Sequence, residues 1–365
     1  MTELEACLLL ESLPGIGWQR SIKLLLHFGS AQNVFLANHH DWKIIQGLGE
    51  QVCKSLKSWK KAQPQVEKKR ELLDRYQINY LRYGTQEYPK PLSFCIDAPL
   101  LLFYHGTPRF KERKILSIVG TRQNTPHGRM FCEKLIHNLK PYNPITCSGL
   151  ARGIDIIAHR SALKNGLETV ACLAHGLDRI YPEDHIDTAK TLMKKGVLLT
   201  DFLPETVFRR VNFPRRNRLI AGMSHATIVI ESGEQGGSMN TANLAHQFGR
   251  EIFAVPGRYS DLKSQGCHQL IVDQKAQLLS DASQLVNALG WEKQEKSKSV
   301  QRTLFVSLSP EEKTLAEELQ KRSKTPLDFL ALETGQKISS VAAMLMKLEM
   351  KGLVRALPGK YYEWI

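Results

Sequence analysis

From Ile115 to Gly257 the chain repeats one unit: a short apolar run, a turn of small residues, then a helical pattern. The apolar runs are Ile115–Val119, Ile145–Cys147, Val170–Leu173, Gly196–Thr200, Ala226–Ile230 and Ile252–Val255. Each is too short for a core helix and too uniformly apolar for a strand with one wet face. Such runs suit parallel strands covered on both sides by helices. Few folds satisfy this alternation. The expected class is α/β, an extended Rossmann-like, doubly wound and mostly parallel sheet.

Ligands of such sheets bind outside the carboxyl ends of the strands, where the turns lie. Three of these turns are glycine-rich: Gly120-Thr121-Arg122, the stretch Ser148 to Asp155 (SGLARGID), and Gly236 to Thr241 (GGSMNT). Glycines let a ligand approach the backbone, and the helix starts that follow supply free N–H donors. The three turns together predict a phosphate pocket. A helix is expected to start at Thr125-Pro126, with Thr as cap and Pro in the first turn.

The densest basic segment is Arg209 to Arg218, RRVNFPRRNR, five arginines in ten residues around Phe213 and Asn217. It follows the run at 196–200 and precedes a helix expected at Leu219–Met223, so it belongs to the same face. Arginine forks grip phosphates, and an adjacent ring gives an unpaired base something to stack on. The whole chain carries 50 Lys+Arg against 36 Asp+Glu, a net charge of +14, which favours a polyanionic partner. No GxGxxG with a following acid, no GxxxxGK[ST] and no HExxH occurs, so neither a dinucleotide, a P-loop NTP nor a zincin metal is expected. No cofactor is expected.

The 365 residues predict two or three domains. Residues 1–75 read as helices around two glycine turns, LPGIG at Leu13–Gly17 and IQGLGE at Ile45–Glu50, the look of a helix-hairpin-helix that can hold phosphate on helix N-termini. Lys54 to Arg75 has eight Lys/Arg against three acids, a solvated helix face. Residues 76–290 form the sheet domain. Residues 291–303 are polar and read as a linker. Residues 304–365 read as three helices, the first two capped by Ser309 and Thr325, followed by a hairpin-like wing from Gly352 to Trp364. The third offers Lys337, Lys347 and Lys351 beside an apolar stripe of Val341, Leu345 and Leu348, which points to protein interaction or weak DNA contact. Seven cysteines stand singly with no CxxC, against a disulfide framework and a structural zinc, and suit a reducing cytoplasm. The N-terminus resembles neither a signal peptide nor a membrane span.

The motifs GTRQNTPHG (120–128), SGLARGID (148–155), TVACLAHGLDRIYPEDH (169–185), FPRRNRLIAGMS (213–224), GGSMNTANLA (236–245), VPG (255–257) and QGCHQLI (265–271) stand in an order that resembles the bacterial DNA-processing DprA family, also called Smf. The resemblance runs from about 85 to 290. It implies a single-stranded-DNA-binding accessory protein, not an enzyme, that protects incoming strands and helps load the RecA recombinase during natural transformation. It implies a homodimer through the central domain. By resemblance Arg122 contacts phosphate, Arg210 and Phe213 are the basic and aromatic pair, and Arg218 is a further contact. The flanks resemble that family's SAM-like or hairpin domain and its winged helix. The DNA-binding set expected here is Gly120, Thr121 and Arg122; Ser148, Gly149 and Gly153; Arg210, Phe213, Arg215, Arg216, Asn217 and Arg218; and Gly237 and Ser238. Glu231 and Glu234 depart from the pattern, since acids in the third glycine loop would repel phosphate.

Two other readings compete. A nucleoside-monophosphate phosphoribohydrolase would use the same phosphate pocket and a carboxylate at the glycosidic bond; Asp155 is the best candidate and Asp178 the second, although Asp155 also suits a loop-fixing role. A duplex-binding architectural protein would rely on the terminal domains instead. No base-reading device is visible, so little sequence preference is expected.

Overall fold

The computed structural model describes residues 1–293, 308–320, 324–351, 353–357 and 359–364. The chain divides into two compact units, Met1–Gln294 and Glu295–Ile365. Most of the expected linker, from residue 294 on, lies outside the described residues.

The first unit opens with helices α1 (Glu3–Ser12), α2 (Trp18–Phe28), α3 (Ala31–Leu36), α4 (His39–Lys43), α5 (Glu50–Lys57) and α6 (Gln63–Arg75). The sheet region follows as β1 (Asn79–Arg82), α7 (Lys90–Ser93), β2 (Leu101–Gly106), β3 (Ile115–Gly120), α8 (Pro126–Leu139), β4 (Ile145–Ser148), α9 (Ile154–Lys164) and β5 (Thr169–Cys172). It continues through α10 (Ile186–Lys195), β6 (Val197–Thr200), α11 (Asn212–Met223), β7 (Ala226–Ile230), α12 (Gly237–Gln247), β8 (Glu251–Ala254), α13 (Gln265–Val272), β9 (Gln277–Leu278) and α14 (Ala282–Ala288).

The nine strands lie in the order β1-β2-β6-β5-β4-β3-β7-β8-β9. From β6 to β9 all pairings are parallel; β2 runs antiparallel to β6, and β1 to β2. The register sets Ile115 beside Ile145 and Val119 beside Val229. β4 to β7 are buried at every position, as two helical layers require. One core lies under α8, α9 and α14; another lies under α7, α11, α12 and α13.

The buried side chains of residues 1–75 pack on one another, and their cluster continues into the sheet region. Ala6 to Leu10 on α1 are all buried, in a cluster that also holds Phe103 of β2, Ala171 of β5, Leu192 of α10 and Leu198 of β6. An all-round apolar helix of this kind must be enclosed. Both glycine turns deliver helix starts as the sequence predicts: Gly17 precedes α2 and Gly49 precedes α5, neither with a side-chain cap.

The second unit contains α15 (Pro310–Gln320), β10 (Thr325–Pro326), α16 (Leu327–Thr334), α17 (Ile338–Met350), β11 (Val354–Leu357) and β12 (Tyr361–Trp364). Ser309 forms the predicted cap, its Oγ accepting from the Glu312 amide at 3.2 Å while Glu312 accepts from the Ser309 amide at 3.0 Å. Thr325 does not cap: it is an extended residue opposite Tyr362, and Pro326 precedes α16 without a side-chain bond. The wing is the antiparallel pair β11–β12.

Candidate nucleic-acid interface

After β3 the chain turns into α8 on one face of the sheet. After β7, the neighbour of β3, it turns into α12 on the other face. The crevice between these two turns is the topological switch point. It is a cleft of about 460 Å³ lined by Thr121, Arg122, Phe213, Arg216, Asn217 and Gly237, among others. The first and third glycine turns and the arginine segment therefore do converge. A smaller recess of about 280 Å³ continues it past Gly149, Arg152 and Tyr181.

The first loop presents Arg122, exposed, with its guanidinium 5.5 Å from the centre of the Phe213 ring. Thr125 caps α8, accepting from the Gly128 amide at 3.1 Å. Gly153 allows the second loop to lie against the first: its φ is +81°, and a Cβ there would sit 2.1 Å from the Thr121 carbonyl oxygen. The third loop opens α12 without a side-chain cap, so first-turn amides face the cleft. Ser238 Oγ donates to Ser232 Oγ at 2.7 Å, and Asn217 Nδ2 donates to the Gly237 carbonyl at 3.3 Å.

Helix α11 begins at Asn212, seven residues earlier than the Leu219 start read from the sequence. Most of the arginine run is thus helical, and its side chains divide by helical spacing. Arg216 is 4% exposed. It donates to the carbonyls of Gly149 at 2.6 Å and Cys172 at 2.5 Å. It braces the second loop from below while forming part of the crevice wall. A Cβ on Gly149 would lie 2.5 Å from that guanidinium. Arg215 donates to Asp201 at 3.1 Å and lies 4.7 Å from the Phe202 ring centre. Arg218 is bound to Asp201 and to the Asp97 carbonyl. Ser148 is buried, its hydroxyl donating to the Ile118 carbonyl at 2.7 Å. Among the described residues, the ion pairs of this face belong to Arg152, Arg179, Arg215 and Arg218, and Arg122, Arg209 and Arg210 form none.

Phe213 is half-buried in an aromatic group that sequence reasoning missed: Phe208 stands edge-on at 5.6 Å and Tyr181 at 6.3 Å. The available signal was the apolar residue before Arg209 and the aromatic in DRIYPEDH.

Glu231, expected to repel phosphate, is bound into the start of α8. It is buried, accepts from the Thr125 amide at 2.8 Å and from the Thr125 hydroxyl, and sits at the positive end of α8. Glu234 is exposed on the same loop. Asp155 accepts from the Gly149 and Ala151 amides at 3.1 and 3.4 Å. Burial pushes its carboxyl up, with Arg216 opposing. Asp178 pairs with Arg179. Among the described residues no cluster of three His, Cys, Asp or Glu side chains can hold a metal, and no helix is long and apolar enough to cross a membrane.

Known proteins share this arrangement. The model of the DNA recombination-mediator protein A family matches residues 79–290, and that of the DprA winged helix domain matches 306–360. Protein Smf of Escherichia coli is 33% identical over 288 residues, covering 76% of this chain and 75% of that protein. The X-ray structure of DprA from Streptococcus pneumoniae superposes with a TM-score of 0.66 at 30% identity, over 80% of this chain and 99% of that one. DprA from Helicobacter pylori, solved to show a single-stranded DNA binding mode, gives 0.54 at 26% identity, over 59% and 98%. The switch-point loops, the arginine helix and the three helices of the second unit all lie inside the matched segments, and the chain belongs to the DprA (Smf) family of DNA-processing proteins.

Proposed function

We propose that this chain binds single-stranded DNA at the switch-point crevice and acts as a cytoplasmic accessory protein that protects incoming strands and helps load RecA during natural transformation. The observation that carries the binding site is the pairing of Arg122 with Phe213 across the cleft, beside the uncapped start of α12. Phosphates meet a free guanidinium and backbone amides; an unpaired base meets a ring. The single-stranded DNA bound by the H. pylori relative agrees with this. The site reads no base edges, so binding is insensitive to sequence. We place Arg122, Arg210, Phe213 and the Gly237–Ser238 amides against DNA, with Gly120, Thr121, Gly149, Gly153, Arg216 and Asn217 shaping the loops. The chain acts without catalysis, because Asp155 is spent on loop amides. A homodimer suits the open edge at β9, where Val272 and Leu278 are exposed apolar residues.

Fluorescence anisotropy with labelled oligo-dT and a matching duplex tests the reading. Wild type should prefer the single strand, and Arg122→Ala/Arg210→Ala should lose that preference, at two salt concentrations. A duplex preference, or a variant that binds normally, would sink it.

A further inference from the structure

A second cleft in the first unit, of about 710 Å³, lies on the opposite flank of α11 from the switch-point crevice. Helical spacing divides α11 between them: Phe213, Arg216, Asn217 and Ile220 line the crevice, while Asn212, Arg215 and Arg218 line the larger cleft. We propose that this second cleft takes the next nucleotides of the same single strand, with a base against Trp18 and phosphates on Arg209 and Lys69. The inference rests on the reading of the crevice given above.

Three features support it. First, the ridge between the clefts is made of arginines and uncovered apolar side chains. Val207 is 62% exposed, Phe208 37% and Val211 67%, with exposed Arg209 and Arg210 among them. A strand crossing the ridge would place bases on the first group and phosphates on the second. Second, the start of α2 opens on the cleft through Gly17 and Trp18 with no side-chain cap, and Trp18 is half-buried in the wall. The LPGIG turn thereby acquires a role at the strand-end face. Third, the acids of the cleft are largely answered. Asp201 is held by Arg215 and Arg218, and Arg218 also approaches the Asp97 carboxylate at 3.9 Å. Glu11 remains. Its side chain faces the open cavity within a deep recess, where burial and then Asp201 push its carboxyl up to about 7, against Lys69, Arg215 and the Leu101 amide. An arriving phosphate favours the protonated form still further. Strand binding here therefore takes up a proton, and affinity rises as pH falls towards about 7.

The test compares a short oligo-dT of about four nucleotides with one of about sixteen, by anisotropy on the full chain. Arg209→Glu and Trp18→Ala should weaken the long strand about tenfold, the scale of one lost base stack, and leave the short one within about twofold. Glu11→Gln should flatten the pH dependence for the long strand alone. If neither variant changes the long strand while Arg122→Ala weakens both lengths, the second cleft carries no DNA and the crevice assignment stands. If Arg122→Ala changes neither length, the crevice assignment fails and takes this one with it. A free mononucleotide that abolishes the difference between Trp18→Ala and wild type would identify a small nucleotide as the occupant and overturn the strand assignment.

Discussion

Replacing Arg216 by Met separates a structural brace from a DNA contact. Arg216 and Asp155 grip the loop after β4 from two sides: the guanidinium binds the Gly149 carbonyl, and the carboxylate binds the Gly149 amide. Both groups are buried, so removing either charge strands the other in a poor solvent. Leaving a buried charge uncompensated in this way costs about 3–5 kcal/mol, a large share of the roughly 5–15 kcal/mol that stabilises a domain. Met fills similar volume, which keeps the cavity cost small. Urea unfolding followed by tryptophan fluorescence should show that loss with an unchanged slope on denaturant. Asp155→Leu should cost a similar amount. The double variant should cost less than the two together by about 1–3 kcal/mol, because the stranded partner is gone. A destabilisation below about 1 kcal/mol together with a large loss of DNA affinity would refute the brace and return Arg216 to the ligand.

Glu231→Gln should lower stability by about 1 kcal/mol through the weakened α8 start and leave oligo-dT affinity unchanged; tighter binding would show that the carboxylate does repel phosphate. Gly153→Ala should cost at least about 2 kcal/mol in a denaturant titration, from the positive φ and the clash with the Thr121 carbonyl, and a variant that melts and binds like wild type would contradict the loop contact. His159 is fully buried, and burial, then the charges of His185 and Arg216, push its pKa down to about 3. The unfolded chain takes up this proton below about 6.5 while the folded one does not. Its contribution to stability is therefore complete above about 6.5 and is lost as pH falls towards 3, by up to about 1.4 kcal/mol per pH unit. His159→Gln should flatten that acid limb in melts followed by circular dichroism.

The parallel sheet was legible because strands covered on both faces leave unbroken apolar runs, and a run such as ATIVI has few other uses. Thr125 and Ser309 were legible for a local reason, since a cap and the amide it binds lie three residues apart. The start of α11 was not. Phe213-Pro214 reads as an interruption, yet proline is tolerated in a first helical turn where its missing N–H has no partner to lose. Once that stretch is helical, its arginines point to different neighbours. Asp201 and Asp97, which hold Arg215 and Arg218, lie 14 and 121 residues away in the chain. The pairing of Glu231 was hidden for the same reason, since its partner Thr125 is 106 residues distant. Local pattern reports burial and turn chemistry; it does not report which opposite charge the fold brings alongside. α1 reads as the heart of a helical domain, and its buried side chains also share a cluster with Phe103 of β2 and Leu198 of β6.

That distinction has a measurable consequence for the electrostatics of binding. Counted from sequence, Arg122 and the five arginines from 209 to 218 are all available for phosphate. Counted from structure, Arg216 is tied to backbone carbonyls while Arg215 and Arg218 are tied to Asp201, leaving Arg122, Arg209 and Arg210. Each phosphate neutralised on a single strand contributes roughly −0.7 to the slope of log K against log salt. The structural count gives a slope near about −2 from these arginines for an oligonucleotide long enough to reach Arg209, and the sequence count gives about −4. Anisotropy titrations across a salt series distinguish the two. A slope near −2 means that the internal pairs survive binding and that α11 acts as a rigid wall. A slope near −4 would mean that Arg215 and Arg218 exchange Asp201 for phosphate. Asp201 would then have to be neutralised by other means, and the buried carboxylate would be the switch that DNA releases.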